Sequence, residues 1–327
     1  MKPIDYFDRG ERKNPCQVFV AGEDRSYTFA AAKDLIARIS AGLYAKGFEK
    51  GDSIAVYAPN DPTAVVCIFS ILRAGGVWIP VNANNDASSN GQYLNFVSTR
   101  WLLFHSSVSS EVEQIVSGLP EIKGVFCIDC SSTEFACLDE LLVDSDEALR
   151  KELSDLVSSP EDIFSLWPTG GTTGPSKAVE MLNRNICTMY ELGISHYIDS
   201  DTEGIIYLAV APITHAAGVI IPIFAAVGGT TEILTNFDPK TVLRTIEEKK
   251  VTHMFLPPTA YYALLDLAGR TNWDTSSLRQ ILLAAAPVSA EKMRQGVDVF
   301  GSVICQCYGQ VEVPMLISWL SPKDVSE

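Results

Sequence analysis

A stretch of nine residues constrains this chain more than any other part of it: Thr169 to Lys177 reads T-G-G-T-T-G-P-S-K. Glycines let consecutive backbone N–H groups turn toward one point, and the concave nest that they form binds anions. The threonine hydroxyls add donors and Lys177 adds a mobile positive charge, so the stretch combines the features that bind a polyphosphate. The apolar residues Ile163, Phe164, Leu166 and Trp167 precede it, which predicts that the loop leaves a buried strand.

This stretch does not match the two most familiar nucleotide-binding loops. The pattern G-x-x-x-x-G-K followed by Ser or Thr fails in every register, and so does G-x-G-x-x-G. A flexible surface loop is the alternative, because clusters of glycine and threonine are common in loops. The residues alone leave both interpretations open.

The overall charge of the chain limits its partners. The 327 residues are 47% hydrophobic and 20% charged, which is the composition of a folded protein with one large domain or two ordinary ones. The formal net charge of −15 argues against nucleic acids and anionic membranes, because both attract basic surfaces. A nucleotide is not excluded, since a local lysine outweighs the global charge within a site.

The sequence also predicts where the protein resides. The N-terminal residues M-K-P-I-D-Y-F-D-R-G lack the apolar core of a signal peptide. Residues 209–229 contain one ionisable side chain, His215, but their prolines and glycines favour a buried strand, loop and helix over a membrane span. Eight cysteines without a secretory signal predict reduced thiols and a cytoplasmic location. Cys127 and Cys130 have the spacing of a zinc-binding pair, yet no second pair follows, so buried thiols are the preferred interpretation.

Strand and helix patterns alternate along the first part of the chain. Strands are predicted at 17–20, 53–57 and 77–81, and helices at about 29–45 and 63–73. The turn P-N-D-P at 59–62 would cap the second helix. Strand–helix–strand units at this spacing indicate an α/β fold with a parallel sheet.

Four motifs, in a fixed order, resemble those of the adenylate-forming superfamily, which contains acyl-CoA synthetases, luciferase-like enzymes and the adenylation domains of peptide synthetases. The first is the loop T-G-G-T-T-G-P-S-K, and the second is P-I-T-H-A-A-G at 212–218. The third is A-A-A-P-V-S at 284–289, and the fourth is Y-G-Q-V-E at 308–312. Residues 47–60, which read G-F-E-K-G-D-S-I-A-V-Y-A-P-N, are also similar to acyl-CoA synthetases.

The resemblance spans about residues 5–320 and implies both a fold and a reaction. The fold would be the large N-terminal, AMP-binding domain of an acyl-CoA synthetase or fatty-acid–CoA ligase, with two parallel-rich β-sheets sandwiched with helices in αβαβα order. Its sheet subdomains would span roughly 56–200, and 15–55 together with 201–320. In the reaction, a carboxylic acid, expected to be a fatty acid, attacks the α-phosphate of Mg·ATP to form an acyl-adenylate. CoA then displaces AMP, so ATP, Mg²⁺ and CoA are the implied small-molecule partners.

The resemblance assigns roles to individual residues. The implied catalytic residues are Lys177 at the phosphates, His215 beside the carboxylate, and Glu312, which would hold Mg²⁺ together with Thr172. Tyr308 would pack on the adenine. The implied nucleotide-binding residues are Thr169, Gly170, Gly171, Thr172, Thr173, Gly174, Lys177, Ala285, Ala286, Pro287, Cys307, Tyr308, Gly309 and Val311.

This sequence departs from the family pattern at four positions. Ala284 and Ala285 stand where the family has glycines against the adenine, and the added methyl groups are expected to crowd that contact. Val311 replaces a threonine whose hydroxyl contacts the α-phosphate, and losing such a donor costs about 1–3 kcal/mol. Ala178 replaces the last glycine of the phosphate loop.

The family pattern continues past position 327 with a ribose-binding aspartate, a hinge and a small domain that carries the adenylation lysine. The expectation is therefore that these residues alone bind nucleotide with little or no turnover. The alternatives are a luciferase-like or peptide-synthetase adenylation module, and a degenerate nucleotide- or acyl-binding protein without catalysis. No G-x-S-x-G occurs, which argues against a serine hydrolase. Neither the acid nor the oligomeric state is predicted.

Overall fold

The computed structural model describes residues 1–129, 134–143, 152–153, 156, 158–168, 177–198 and 200–327. They form two compact units: Met1–Asp5 with Tyr27–Cys187, and Tyr6–Ser26 with Thr188–Glu327. Each unit is built on one mostly parallel sheet with helices, which confirms the predicted α/β class with two such sheets. Residues 169–174 of the predicted phosphate loop, and Cys130, lie outside the described residues.

The elements are numbered in chain order over the described residues. The strands are β1 (Val18–Ala21), β2 (Ser26–Thr28), β3 (Ser53–Ala58), β4 (Val77–Asn82), β5 (Trp101–Phe104), β6 (Gly124–Cys127), β7 (Ala136–Cys137), β8 (Ile163–Pro168), β9 (Ala178–Leu182), β10 (Ile206–Ala209), β11 (Thr230–Ile233), β12 (His253–Leu256), β13 (Gln280–Leu283), β14 (Ile304–Tyr308) and β15 (Ser318–Leu320). The helices are α1 (Asp5–Lys13), α2 (Phe29–Ala45), α3 (Pro62–Ala74), α4 (Ala87–Phe96), α5 (Ser109–Val116), α6 (Asn183–Tyr197), α7 (Ala216–Ala225), α8 (Pro239–Lys249), α9 (Pro258–Ala268), α10 (Ala290–Phe300) and α11 (Pro322–Ser326).

The sheet of the first unit has the strand order β7-β6-β5-β3-β4-β8-β9 over the described part of the chain. Its neighbours run parallel except for the antiparallel pair β8–β9. The central strands β3 and β4 are buried almost throughout, as expected for parallel strands covered on both faces. The predicted phosphate loop leaves from the end of β8, so the expected strand before the loop is present.

The sheet of the second unit has the strand order β15-β14-β13-β12-β10-β11-β1-β2. The neighbours from β14 through to β1 run parallel, whereas β15 runs antiparallel to β14. The carboxyl ends of β10, β13 and β14 therefore lie at one edge of this sheet. Three of the four motifs begin at these ends, which is the edge where parallel α/β sheets bind ligands.

Local sequence explains the helix that follows β3. The side chain of Asp61 accepts hydrogen bonds from the backbone N–H groups of Thr63 (2.7 Å) and Ala64 (3.1 Å), and Pro62 occupies the first turn. Gly75 ends the helix with a positive φ of 71°, which glycine adopts without strain. The predicted turn and helix at 59–73 thus match α3 closely.

The division into units differs from the subdomain bounds expected from the family. Residues 27–55 belong to the first unit, because α2 packs along α3 and β3 pairs with β4 and β5. From Thr188 onward, α6 belongs to the second unit. There the Tyr197 hydroxyl donates to the carbonyl of Met254 at 2.6 Å. Tertiary packing, rather than position along the chain, sets these boundaries.

The apolar segment at 209–229 forms the end of β10, a turn and α7, as the sequence predicts. All residues of α7 after Ala216 are buried, and Phe224 stacks on Tyr207 with ring centroids 4.4 Å apart. None of the helices in the described ranges is both long and apolar enough to cross a membrane.

His253 begins β12 and is completely buried, as a structural residue rather than a ligand-facing one. Its Nδ1 lies 2.8 Å from the Thr252 hydroxyl, and its ring packs edge-on against Tyr197 at 5.4 Å. Burial, helped by the positive charge of Arg279, lowers its pKa to about 3. The folded protein therefore holds this imidazole in the neutral form.

We expect the protein to lose stability on acidification because of His253. The unfolded imidazole has a pKa of about 6.5, so the unfolded state takes up the proton first as the pH falls. The contribution of the neutral His253 imidazole to the free energy of unfolding is intact above about pH 6.5 and is lost progressively as the pH falls to about 3. Between pH 7 and pH 5 the free energy of unfolding should fall by about 2 kcal/mol through this residue alone.

Urea unfolding of the His253→Leu variant at several pH values tests this assignment. The variant should lack this part of the acid slope, whereas Met254→Leu, a change to the next residue of the same strand, should retain it. An unchanged slope in His253→Leu would contradict the assignment.

Candidate active site

The third motif forms the segment that leaves β13. The strand itself is buried, and Ala285, Ala286 and Pro287 emerge from it into solvent. Ala285 has a positive φ of 73°, in the left-handed region that favours glycine. The alanine that replaces a glycine of the family therefore strains the backbone in addition to adding a methyl group.

Changing Ala285 to glycine is expected to stabilise the chain by about 0.5–1 kcal/mol. The left-handed conformation costs an alanine about 1–2 kcal/mol, and the greater freedom of glycine in the unfolded chain offsets part of the gain. Ala286→Gly is the matched control, because Ala286 is not among the residues with positive φ. This variant of the protein should be less stable than the parent. Urea midpoints of both variants measure the difference, and equal shifts would show that Ala285 is unstrained.

The fourth motif begins at the end of β14. Cys307 is buried, with 6% of its surface exposed, whereas Tyr308 is 51% exposed. The Tyr308 hydroxyl accepts a hydrogen bond of 2.6 Å from the side-chain amide of Gln310. Burial raises the pKa of the Cys307 thiol to about 11. The thiol is therefore uncharged at neutral pH and is not expected to act as a nucleophile.

A tight turn follows Tyr308 and explains Gly309. A Cβ atom at Gly309 would lie 2.6 Å from the backbone nitrogen of Met315, so only glycine fits without a shift. Gln310 and Val313 exchange two backbone hydrogen bonds of 3.1 Å. Val311 and Glu312 therefore occupy the tip of a closed loop, where the Glu312 carboxylate is exposed to solvent.

These segments border an open cavity of about 470 Å³ at the carboxyl edge of β13 and β14. Six of the residues that the sequence analysis assigned to the nucleotide line it: Ala285, Ala286, Pro287, Cys307, Tyr308 and Gly309. Val311 and Glu312 are not part of the lining. Four lining residues were not singled out as binding residues: Gln306, Ser318, Trp319 and Leu320. The last three belong to β15. No local sequence signal predicts that β15 pairs antiparallel with β14.

The second motif forms the turn between β10 and α7. His215 caps α7, and its Nδ1 accepts a hydrogen bond of 2.8 Å from the backbone N–H of Ala216. Desolvation by the surrounding protein lowers the His215 pKa, although the residue keeps access to solvent. The backbone N–H of Gly218 donates to the carbonyl of His215 at 3.0 Å, and a Cβ atom at Gly218 would collide with the Ile213 carbonyl at 1.8 Å. The glycine is thus required by the turn that holds the histidine.

Lys177 lies in the first unit, exposed, directly before β9. Ala178, the residue that replaces the last family glycine, begins β9 and pairs with Pro168 of β8. The remaining predicted phosphate-binding residues, Thr169 to Gly174, lie outside the described residues.

The sequence and fold agree with a comparison against protein families. The model of the AMP-binding enzyme family matches residues 7–327. The chain belongs to the AMP-binding enzyme family. The resemblance inferred from four motifs is therefore confirmed over nearly the whole chain.

Individual relatives of this AMP-binding family member are similar at moderate identity. Feruloyl-CoA synthase of Amycolatopsis sp. is 27% identical over 98% of this chain and 61% of its own length. The medium/long-chain-fatty-acid–CoA ligase FadD8 of Mycobacterium tuberculosis is 32% identical over 56% of this chain and 32% of its own length. The chain thus spans less than two thirds of the length of these curated relatives.

A solved structure supports the fold of the AMP-binding domain. The amide bond synthetase McbA of Marinactinospora thermotolerans superposes with a TM-score of 0.87 at 22% identity, covering 99% of this chain and 63% of McbA. This similarity establishes the fold alone.

Glu312, the carboxylate assigned to the metal ion, does not belong to a cluster of metal-ligating side chains among the residues that the structure describes. In the part of the chain that the structure describes, no group of three or more His, Cys, Asp or Glu side chains is placed to hold a metal. Mg²⁺ at phosphates usually needs only one or two carboxylates, because water and phosphate oxygens supply its other ligands. The exposed Glu312 carboxylate therefore fits Mg²⁺ that arrives with a nucleotide.

Proposed function

We propose that this chain binds ATP at the carboxyl edge of β13 and β14 as part of an enzyme that activates a carboxylic acid. The observation that carries the proposal is the cavity itself. Two motifs, separated by about twenty residues of sequence, meet around it, and six residues assigned to the nucleotide line it. A cavity of about 470 Å³ is within the range of about 300–1,000 Å³ that small-molecule sites span.

The half-exposed ring of Tyr308 is the proposed platform for the adenine. An aromatic side chain stacks on any base without reading its edge, and its removal typically costs about 1–3 kcal/mol. The backbone of residues 285–287 would border the base. Gln310 supports the ring through its hydrogen bond to the hydroxyl.

The proposed phosphate contacts come from Lys177 and from Thr169 to Gly174, by analogy with the family. Glu312, together with Thr172, would hold Mg²⁺, which would neutralise the charge that develops on the phosphates. The protein's own part in this chemistry is positioning and charge neutralisation, since the acid oxygen attacks the α-phosphate while pyrophosphate leaves.

His215 is proposed to orient the carboxylate as a neutral hydrogen-bond donor. Its Nδ1 accepts from the Ala216 N–H, so the proton of the neutral ring resides on Nε2. Its lowered pKa keeps the ring neutral at physiological pH. Nε2–H would then donate a hydrogen bond to a carboxylate oxygen. A charged imidazolium would instead form a tight ion pair with the carboxylate and weaken it as a nucleophile, and the neutral ring avoids this.

The full reaction that we propose continues from acyl-adenylate to acyl-CoA, with CoA as the second acceptor. The names of the curated relatives support a CoA ligase. A fatty acid as the substrate and a cytoplasmic location stay predictions. The expectation of little or no turnover by these 327 residues alone also stays a prediction, which ATP–pyrophosphate exchange would test.

Calorimetric titration of the protein with AMP tests the nucleotide site. Tyr308→Ala should weaken binding at least about fivefold, and Tyr308→Phe should stay within about twofold of the parent, because the ring remains. Tyr262→Ala changes a half-buried tyrosine of the same unit outside the cavity and should have no effect. Equal weakening by the Tyr262 and Tyr308 changes, or no saturable binding to the parent, would contradict the proposal.

A further inference from the structure

Cys127 and Cys137 lie side by side on neighbouring parallel strands of the first unit. In the register of β6 and β7, Cys127 pairs directly with Cys137. Residues paired in this way direct their side chains to the same face of the sheet. Neighbouring strands lie about 4.8 Å apart, which falls within the range of Cα separations, about 4.4–6.8 Å, that disulfides span. Both residues are free cysteines in the structure, so they form a reduced pair with the spacing of a disulfide.

The strand β7 is held beside β6 but has room to shift. In the described part of the chain it lies at the end of its sheet, and its strand neighbour there is β6. The short 3-10 helix Leu138–Leu141 follows β7 and packs on α2, where a Cβ atom at Gly42 would lie 2.0 Å from the Leu141 carbonyl oxygen. A disulfide needs Cβ atoms about 3.8 Å apart, so β7 must approach β6 by about 1 Å. An edge strand can make this shift without disturbing a second strand pairing.

The two thiols differ in exposure and in their neighbours. Cys127 has 1% of its surface exposed, whereas Cys137 is partly exposed. The Cys127 thiol donates to Asp129 Oδ1 at 3.4 Å, and the backbone N–H of Ser106 donates to the same oxygen at 2.7 Å. Burial would raise the pKa of the Asp129 carboxyl, but hydrogen bonds from Ser106 and the nearby His105 hold this pKa below its usual value. Asp129 is therefore an anion, fixed in position, that accepts the Cys127 proton.

We propose that Cys127 and Cys137 are an oxidative modification site, at which a peroxide links β6 to β7 through a reversible disulfide. Cys137 reacts first, because it is the more exposed thiol of the pair. Its thiolate attacks one oxygen of hydrogen peroxide and the O–O bond breaks, so that the sulfur becomes a sulfenic acid. The hydroxide that leaves takes up the proton released by Cys137 and becomes water.

Cys127 completes the reaction as the resolving thiol. Its proton passes to the Asp129 carboxylate while its sulfur attacks the sulfenic sulfur of Cys137. The S–S bond forms, the S–O bond breaks, and the departing hydroxide takes the proton from Asp129 to give a second water. Two thiols are thus oxidised, and one peroxide molecule is reduced to two water molecules. This site lies in the first unit and does not depend on the proposed nucleotide cavity.

Peptide mapping of the 327-residue chain after treatment with hydrogen peroxide tests the proposal. Trypsin, combined with proteases that cut at acidic residues, separates Cys127, Cys130 and Cys137 onto the peptides 124–128, 129–134 and 135–138. Without a reductant, the peptides 124–128 and 135–138 should be joined, with a mass two hydrogen atoms below their sum. Dithiothreitol should separate them, and the oxidised chain should migrate as a monomer on a non-reducing gel.

Single substitutions identify the thiols that react. Cys137→Ser should abolish the link at a partly exposed position. Cys130→Ser and Cys16→Ser should retain it, and Cys16→Ser is the control for an exposed thiol elsewhere in the chain. The oxidised parent should unfold at a higher urea concentration than the reduced parent, because a disulfide restricts the unfolded chain. Cys137→Ser should show no such shift on oxidation.

Three results would overturn the inference. The first is a bond from the peptide 124–128 to the peptide 129–134 in place of the bond to 135–138. The second is loss of the link in Cys130→Ser. The third is absence of the link in the parent after peroxide has already oxidised the exposed Cys16 thiol.

Discussion

Replacing Gly218 with alanine is expected to destabilise the second unit by about 3 kcal/mol. The new Cβ atom would lie 1.8 Å from the Ile213 carbonyl oxygen and 2.8 Å from the carbonyl carbon. Both are backbone atoms of a turn between β10 and α7, so no side-chain rotation relieves the collision. Overpacking of a well-filled interior costs about 1–3 kcal/mol, and a rigid backbone neighbour places this case at the upper end.

The collision should also displace His215. Its carbonyl accepts the hydrogen bond from the Gly218 N–H, and its side chain caps α7 one residue before that helix begins. Urea unfolding measures the loss of stability. Gly118→Ala is the matched control, because the nearest atom to its added methyl group lies at an ordinary 3.4 Å and its φ is not positive. A Gly218→Ala variant as stable as the Gly118→Ala variant would show that the turn adjusts at no cost.

Changing Glu312 to glutamine is expected to weaken Mg·ATP binding at least about tenfold. The change removes the charge of the proposed Mg²⁺ ligand while it preserves the size of the side chain, and contacts to a charged group contribute about 1.5–3 kcal/mol. Glu312 sits at the tip of the loop closed by Gln310 and Val313, outside the cavity lining, so AMP without Mg²⁺ should bind as to the parent.

The comparison of Mg·ATP with AMP makes the Glu312 prediction specific. Glu291→Gln alters an exposed carboxylate at the start of α10 in the same unit and should change neither affinity. Isothermal titration of both variants with both ligands measures the effect. If Glu312→Gln weakens AMP and Mg·ATP equally, the carboxylate acts on the loop structure and not on the metal.

Sequence patterns predicted the parts of the fold that depend on nearby residues. The apolar runs and the Asp61 cap predicted β3, α3 and β4 to within one or two residues. Motif residues at 285–287 and 307–309 were expected to act together, and the structure places them around one cavity. Such elements are encoded by local periodicity and capping, which a single sequence displays.

The remaining features depend on contacts between distant parts of the chain. Trp319 reaches the cavity only because β15 pairs antiparallel with β14, and a strand of three residues carries no sequence signal for its partner. From the sequence, the methyl group of Ala285 is expected to crowd the adenine. The structure shows in addition a left-handed backbone conformation at Ala285, which the sequence does not predict. The observed units differ from the expected subdomain bounds because α2 packs on α3. Sequence composition does not predict this tertiary contact.

The central claim is that the base of a nucleotide occupies the cavity at the carboxyl edge of β13 and β14. Photoaffinity labelling with 2-azido-AMP, followed by mapping of the labelled peptides, tests it most directly. The account predicts that the label falls on residues 284–287, 306–309 or 318–320, is prevented by excess AMP, and is strongly reduced in Tyr308→Ala. Labelling concentrated in other peptides, or labelling that excess AMP does not prevent, would contradict the account.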